Sequence, residues 1–445
     1  MVITGLGTVG AWGCGSGALA RALAAGVPPA ATAVDRSAGY HRRCGARRAL
    51  LTPMAALAEW VPPAEARRMS PPSRLAVAAA RMAVGAAGLA AADVAGLGTA
   101  VVTATVFGPS SFSDALLLQI VHEGPQAVSP YLFSESVANA PTAQIAIACG
   151  ARGPNLTLCQ GEAGALLAVA RAAAAVMEGR AERALAGAVD EMPAMLHGLL
   201  DRFGTLAHRP CRAAAAPGAP PPPASPDPLT PLTPLTPQDT AVRRAAAAAA
   251  GGESGRPFDR RRNGVVAADG ATILVLETAA AAARRGAAPL AHVRAWGSAF
   301  DPSASTAGWG SGAPALGRSL RRAMERRGVA MGAIDRIASG ASGSRGGDRL
   351  EAGLLRAAWG DAALPPVLAP KAVTGEYGGG FLAAALLAAA GASYGPTAGF
   401  AEPDPRLGVV PHDGRRLPPP ALLLASSVAA GGAVAWLLLA AGGAG

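Results

Sequence analysis

Strands and alanine-rich helices alternate along almost all of this 445-residue chain, and this alternation is the feature that most restricts its fold. The apolar runs "AVVTATVFG", "ERALAGAVDEM" and "GATILVLET" are typical of buried strands, and "GALLAVARAAAAVMEG" is typical of a helix. Strands that alternate with helical segments predict an α/β fold whose sheets are covered by helices on both faces. The length corresponds to ~2–3 domain-sized units.

The composition changes once, between residues 211 and 255. This segment contains a run of four prolines and three tandem Leu-Thr-Pro units, which fit neither a helix nor an inner strand. We predict a solvated insert with polyproline character between an N-terminal half, residues 1–210, and a C-terminal half, residues 256–445. A docking segment for a partner is the alternative interpretation of the insert.

The formal net charge of +10 allows two interpretations. A basic surface attracts acidic partners, such as nucleic acid or an acidic carrier protein. The alternative is a general bias toward arginine, which we favour because the arginines are scattered along the sequence rather than clustered. We therefore predict no nucleic-acid partner.

The cysteines and histidines give no sign of a metal site or of a disulfide framework. Neither residue type shows metal-ligand spacing, and no CxxC pair occurs, so we expect no metal and no cofactor. An odd, irregular set of cysteines favours reduced thiols and a cytoplasmic location. The N-terminus has neither a basic region nor a long apolar stretch, which argues against a signal peptide. The five cysteines are Cys14, Cys44, Cys149, Cys159 and Cys211.

One segment resembles a membrane span, and another matches a dinucleotide-binding pattern. Residues 421–440 are long and apolar enough for a membrane span, but two serines and two glycines interrupt the middle. We predict two short buried strands joined by a glycine turn, and no membrane span.

The second segment, "GLGTVG" at residues 5–10, matches the dinucleotide pattern G-x-G-x-x-G. No acidic residue follows at the expected spacing of ~20 residues, so we interpret it as a tight turn between strand and helix, and we disfavour a nicotinamide oxidoreductase.

Three motifs in order carry a resemblance to a known family: "RGPNLTL", "PFDRRRNG" and "TGEYGGGFLAAALLA". With these motifs the chain resembles the β-ketoacyl synthases of the thiolase superfamily, which condense acyl and malonyl units carried on acyl carrier protein. The resemblance extends from "VITGLGTVG" to "SSVAAGGAVAWLLL". It implies a thiolase-like α/β fold, in which two pseudo-duplicated halves form a five-layer α-β-α-β-α sandwich.

The nucleophilic cysteine of that family occupies a strand-to-helix turn, where the helix N-terminus lowers its pKa. The matching position in this chain is Glu162, in "CQGEAG". Cys159 comes three residues earlier, and we interpret it as a small buried residue on the strand. A carboxylate at position 162 suits a helix N-terminus, and we hypothesise that it pairs with Lys371.

Neither histidine of the family is present at its matching position. The first position is Gly340, eight residues before Asp348 and eleven before Glu351. The second is Glu376, five residues after Lys371, which is the only lysine in the chain. The resemblance implies that Lys371, Asp348 and Glu351 are retained from a buried polar network at the family's active site.

Loss of the nucleophile is typical of one branch of the family, the chain-length factors or KS-β subunits of type II polyketide and aryl-polyene systems. The resemblance implies a subunit that is inactive alone and that forms a heterodimer with an active β-ketoacyl synthase. The pair shapes the acyl tunnel at its interface and receives chains from acyl carrier protein, in polyketide or specialised fatty-acid biosynthesis. Two alternatives remain: a decarboxylase of malonyl carrier protein that primes synthesis, and a homodimeric pseudoenzyme scaffold.

Overall fold

The computed structural model describes residues 1–36, 45–208 and 253–443, and within them an eleven-stranded mixed sheet dominates the fold. The strand order is β11-β10-β12-β13-β9-β1-β8-β7-β5-β6, with β2 paired to β1, while β3 and β4 form a separate ribbon. The strands are β1 Val2–Gly10, β2 Gly13–Cys14, β3 Thr32–Ala33, β4 Arg48–Ala49, β5 Thr99–Ala104, β6 Asn155–Leu158, β7 Arg183–Asp190, β8 Gly270–Glu277, β9 Ala291–Phe300, β10 Arg336–Ser339, β11 Val367–Leu368, β12 Leu423–Val428 and β13 Ala433–Ala441.

Helices flank this sheet along its whole length. Most begin without a side-chain cap, and many alanines supply helix propensity instead. The helices are α1 Ser16–Ala25, α2 Pro63–Ala66, α3 Pro71–Ala86, α4 Ala91–Val94, α5 Ser110–Glu123, α6 Pro130–Ser136, α7 Ala140–Cys149, α8 Gly164–Met177, α9 Ala194–Arg202, α10 Ala279–Arg284, α11 Ala313–Glu325, α12 Arg345–Trp359, α13 Lys371–Thr374 and α14 Gly378–Ala389.

The sheet consists of two halves with the same internal pattern. In the order β6-β5-β7-β8-β1, two parallel pairings are followed by two antiparallel ones. The order β11-β10-β12-β13-β9 repeats this pattern. The two halves join where β1 pairs with β9 over two residues. This repetition is the pseudo-duplication that the family resemblance implies.

Helices occupy three layers around the two sheet halves. Helices α8 and α14 contact strands of both halves and therefore form the central layer. Helix α3 covers the outer face of the first half and packs against α7, while α11 covers the second half with its neighbour α12. The result is the five-layer α-β-α-β-α sandwich, so the predicted fold is confirmed.

The predicted halves and insert can be compared with the structure only in part. Residues 209–252 are not described, so the predicted insert at 211–255 lies almost wholly outside the described residues and stays a prediction. Strand β8 follows the insert in sequence, yet it pairs with β1 and β7 of the first sheet half. The first half of the sheet therefore takes one strand from the C-terminal part of the chain.

The segment "GLGTVG" is not a turn, and that prediction is wrong. Gly5 to Gly10 lie inside strand β1, which is buried along its whole length. A Cβ atom on Gly5 would overlap the carbonyl oxygen of Ala83, and one on Gly7 would lie 2.6 Å from the Ala83 amide nitrogen. These glycines therefore allow helix α3 to pack directly on the strand backbone. They do not form a phosphate-binding turn.

The apolar segment at residues 421–440 forms two strands, as predicted. Strands β12 and β13 pair in antiparallel register up to Val428 and Val434. Gly431 and Gly432, with φ of 85° and 94°, make the turn between them. Of the helices in the described residues, none is both long and apolar enough to cross a membrane.

Candidate functional site

Glu162 lies on the strand-to-helix turn that the sequence predicts. Strand β6 ends at Leu158, a single 3₁₀ turn spans Gly161–Ala163, and helix α8 begins at Gly164. The main-chain carbonyl of Glu162 accepts a hydrogen bond from Ser427 Oγ at 2.9 Å, and its carboxylate accepts one from the Ala430 amide at 3.1 Å. The β12–β13 turn therefore holds both the backbone and the side chain of this residue.

Lys371 forms its ion pair with Glu376. Its Nζ donates to Glu376 Oε1, with the lysine side chain fully buried and the glutamate 16% exposed. The hypothesis of an ion pair between Lys371 and Glu162 is wrong, because no such contact within 4.0 Å occurs among the described side chains. The reason is local, since Gly375 adopts a left-handed φ of 73° and turns Glu376 back onto the lysine.

Burial and charge both act on the Glu162 carboxyl group. Burial and, second to it, the nearby Glu376 carboxylate together raise its pKa to about 7, against the opposing effect of the Lys371 ammonium. The pKa of Glu351 is likewise raised to about 7 by burial, again with Lys371 opposing. Lys371 is thus the cation that acts on all three carboxyl groups. Near neutral pH, Glu162 exchanges between its charged and neutral forms.

Gly340 has no space for a larger side chain in this arrangement. Its amide donates to the Ser426 carbonyl at 2.8 Å. A Cβ atom here would lie 2.8 Å from Ser427 Oγ and 3.1 Å from Ser426 O. The Ser427 hydroxyl group that bonds to Glu162 therefore occupies the space that a side chain at position 340 would need.

The carboxyl groups of Asp348 and Glu351 support the surrounding loops. Asp348 accepts hydrogen bonds from the amides of Phe258 at 2.8 Å and of Ser342 and Gly343 at 3.1 Å each. Burial raises the pKa of Asp348 to about 6. Glu351 accepts from Ser339 Oγ at 3.3 Å. Asp348 therefore joins the "PFDRRRNG" loop to the start of helix α12.

Cys159 is exposed, so its interpretation as a buried residue on the strand is wrong. It follows the end of β6, which is the outermost strand of its sheet half, and its side chain is accessible to solvent. Partial burial raises the pKa of its thiol, and the neighbouring Asp190 raises it further. The thiol is therefore mainly protonated near neutral pH and is a weak nucleophile.

A cavity of about 810 Å³ opens beside these residues. Cys159, Glu162 and Glu376 lie in its wall, together with two carboxylates that the sequence analysis missed, Asp190 and Glu191. The signal for both was their position at the end of the predicted buried strand "ERALAGAVDEM". The remaining wall is mainly apolar and includes Phe107, Met192, Leu196, Leu199, Leu200, Phe203, Leu206 and Val265.

The loop after strand β5 holds the carboxyl group of Asp190, and the first turn of helix α5 holds that of Glu191. Asp190 Oδ1 accepts from the Val106 amide at 2.7 Å and from Thr105 Oγ1 at 3.1 Å. Burial raises the pKa of Asp190 to about 7, against the effect of these hydrogen bonds. Glu191 accepts from the amide of Ser111 at 2.6 Å. The described wall of the cavity thus offers four carboxyl groups, one thiol and no imidazole.

Residues 1–219 match the family profile of the β-ketoacyl synthase N-terminal domain. Over these residues the chain belongs to the β-ketoacyl synthase family. Its structure extends the likeness beyond residue 219, because three solved structures align with 99% of the chain.

Three of the similar solved structures are ketosynthases or complexes that contain one. The ishigamide ketosynthase/chain length factor is 26% identical, with a TM-score of 0.80, and 98% of that chain is covered. The type II polyketide synthase AntDE, in complex with its acyl carrier protein AntF and bound to the hexaketide, is 20% identical with a TM-score of 0.78 and 98% coverage. A β-ketoacyl synthase from Burkholderia phymatum is 21% identical, with a TM-score of 0.79 and 98% coverage. No curated protein matches the chain in sequence.

Proposed function

We propose that this chain is a non-catalytic, chain-length-factor-like partner of an active β-ketoacyl synthase in type II polyketide, aryl-polyene or specialised fatty-acid biosynthesis. The observation that carries the proposal is the carboxylate of Glu162, which occupies the tip of the turn from which this family presents its cysteine. The ishigamide and AntDE structures support the same biosynthetic context.

The chemistry of the site supports a role without acyl transfer. A β-ketoacyl synthase needs a thiolate to accept the acyl chain and imidazole groups to polarise the malonyl carbonyl. Here the corresponding positions are Glu162, Gly340 and Glu376. A carboxylate repels an incoming malonyl group, and glycine offers no side chain. Glu376 is engaged by Lys371, so its charged form accepts hydrogen bonds and donates none.

An exposed apolar surface supports a partner subunit. Strand β6 pairs with β5 on one side only and is the edge of its sheet half. Helices α5, α6 and α7 pack successively beside it. An open strand edge bordered by exposed apolar side chains is favourable for pairing with another chain. The exposed large apolar residues on these elements are Leu117, Leu118, Ile120, Val121, Phe133, Ile147 and Leu156, with exposed fractions from 37% to 76%.

The cavity supports a role in shaping an acyl chain. Its mouth carries the exposed apolar side chains of Phe107, Leu199 and Phe203. Its volume of about 810 Å³ falls within the range of small-molecule pockets. We propose that the heterodimer continues such apolar walls into one tunnel, and that the positive surface attracts the acidic carrier protein.

Co-expression with a synthase from the same gene neighbourhood tests the pairing. We expect the two chains to copurify with a 1:1 stoichiometry. We also expect product to form from acyl and malonyl carrier protein when both chains are present, but not with this chain alone. Leu156→Lys should abolish copurification, because it places a charge on the paired strand edge, while Leu97→Lys serves as an exposed control on another loop. Activity of this chain alone, including release of carbon dioxide from malonyl carrier protein, would contradict the proposal.

A further inference from the structure

Five arginines from three separate segments line one groove of about 470 Å³ on the C-terminal half of the molecule. Arg260 and Arg262 come from the "PFDRRRNG" loop, and Arg406 comes from the loop before β12. Arg345 and Arg349 lie in the first turns of helix α12. These arginines are scattered in sequence, but folding brings them together. The expectation of a merely general arginine bias is therefore wrong for this groove.

The charges in the groove are poorly balanced. Among the described residues that line it, Asp404 is the only carboxylate. It pairs with Arg406 at 2.9 Å and with Arg262 at 2.8 Å, and the hydrogen bonds from Arg406 and Arg262 hold its pKa well below the ordinary value. Five arginines against one aspartate leave an excess of four positive charges. Arg260 and Arg349 are exposed, and their side chains have no partner among the described residues.

The guanidinium group of Arg262 is only partly satisfied by the described residues. Its side chain is only 6% exposed, and its Nη1 donates to both Asp404 and the carbonyl of Asp259. Its Nε is buried and has no hydrogen-bond partner in the described structure. A buried donor without an acceptor is costly, and a charged donor especially so. One of the arginines that line the groove therefore keeps an unsatisfied charged donor within the described residues.

We propose that this groove binds a small molecule that carries two phosphate groups. A phosphate monoester bears about −1.5 to −2 charges at neutral pH, so two such groups match the excess of four positive charges. Arginine presents a planar fork that bonds two phosphate oxygens at once. The groove is larger than a single phosphate ion requires. Its position at the start of helix α12 also places the positive end of the helix dipole nearby.

Isothermal titration with inorganic pyrophosphate and ADP as probes tests the proposal, with inorganic phosphate for comparison. The buffer contains about 150 mM salt, which screens charges farther apart than ~8 Å. We expect saturable 1:1 binding of both two-phosphate probes, about 10-fold tighter than phosphate, as one added charge-assisted contact provides. Arg349→Glu and Arg260→Glu should each weaken binding at least about 10-fold. Arg318→Glu, an exposed charge reversal on helix α11, should change it less than about 2-fold.

Three results would overturn the proposal. The first is absence of saturable pyrophosphate binding at about 1 mM probe, which corresponds to less than ~4 kcal/mol of binding free energy. The second is an equal loss of affinity in Arg349→Glu and Arg318→Glu. The third is that Arg349→Glu abolishes binding of carrier protein or of DNA but leaves pyrophosphate binding unchanged. In the last case the groove would be a surface for an acidic macromolecule.

Discussion

Replacement of Glu162 by glutamine should stabilise the protein at pH 8 and have little effect at pH 5. The folded protein raises the pKa of this carboxyl group from 4.5 to about 7, mainly through burial and then through the Glu376 carboxylate. The folded state therefore holds the proton more tightly than the unfolded state. The stability contributed by protonated Glu162 is fully present below pH ~4.5 and is lost as the pH rises through ~7.

The magnitude follows from the size of the shift. A difference of about 2.5 pKa units corresponds to ~3 kcal/mol at 1.36 kcal/mol per unit. Glutamine has the shape of the protonated side chain, and its amide oxygen can still accept from the Ala430 amide. We therefore expect Glu162→Gln to raise the free energy of unfolding by about 1–3 kcal/mol at pH 8, and by less than about 1 kcal/mol at pH 5.

Denaturant titration at both pH values measures this difference, with fluorescence of the six tryptophans as the signal. Asp190 and Glu351 also titrate near pH 7, but they are present in both proteins and cancel from the comparison. Glu178→Gln is the matched control, since Glu178 is exposed and pairs only with Arg180 at the surface. Equal effects of Glu162→Gln at pH 5 and pH 8, or a loss of stability at pH 8, would refute the reasoning.

Three further changes have definite expected outcomes. Lys371→Met should lower the free energy of unfolding by about 3–5 kcal/mol, because it leaves a largely buried Glu376 without its cation. The double mutant Lys371→Met/Glu376→Gln should regain most of this loss, as a double-mutant cycle can measure. Gly7→Ala should destabilise by at least about 3 kcal/mol in denaturant titration, whereas Gly85→Ala, at an open site on helix α3, should be neutral or stabilising by up to ~1 kcal/mol. Glu162→Cys should not create condensing activity in an assay with acyl and malonyl carrier protein, because positions 340 and 376 still lack imidazole groups.

The local periodicities of strands and helices were sufficient to predict an α/β fold, and the resemblance carried by the ordered motifs implied its five-layer arrangement. The sequence also predicted that Glu162 lies on a strand-to-helix turn. The errors concern contacts that no local pattern encodes. The glycines of "GLGTVG" are required by Ala79 and Ala83, on a helix that is remote in sequence. The partner of Lys371 depends on the left-handed conformation of Gly375.

The exposure of Cys159 and the clustering of arginines were also beyond local patterns. Cys159 is exposed because β6 is an edge strand, which depends on the order of strands in the sheet. The arginine groove is assembled from three segments that are up to 146 positions apart, counted from Arg260 to Arg406. Such groupings arise only when the sheet halves and the helix α12 are packed together.

Intact-mass analysis tests most directly whether the partner subunit carries out the reaction. The assembled pair is incubated with acyl-loaded carrier protein, and the mass of each chain is then determined. We expect the acyl group on the partner synthase and an unmodified mass for this chain. An acyl adduct on this chain, whether at Glu162 or at Cys159, would contradict a non-catalytic role.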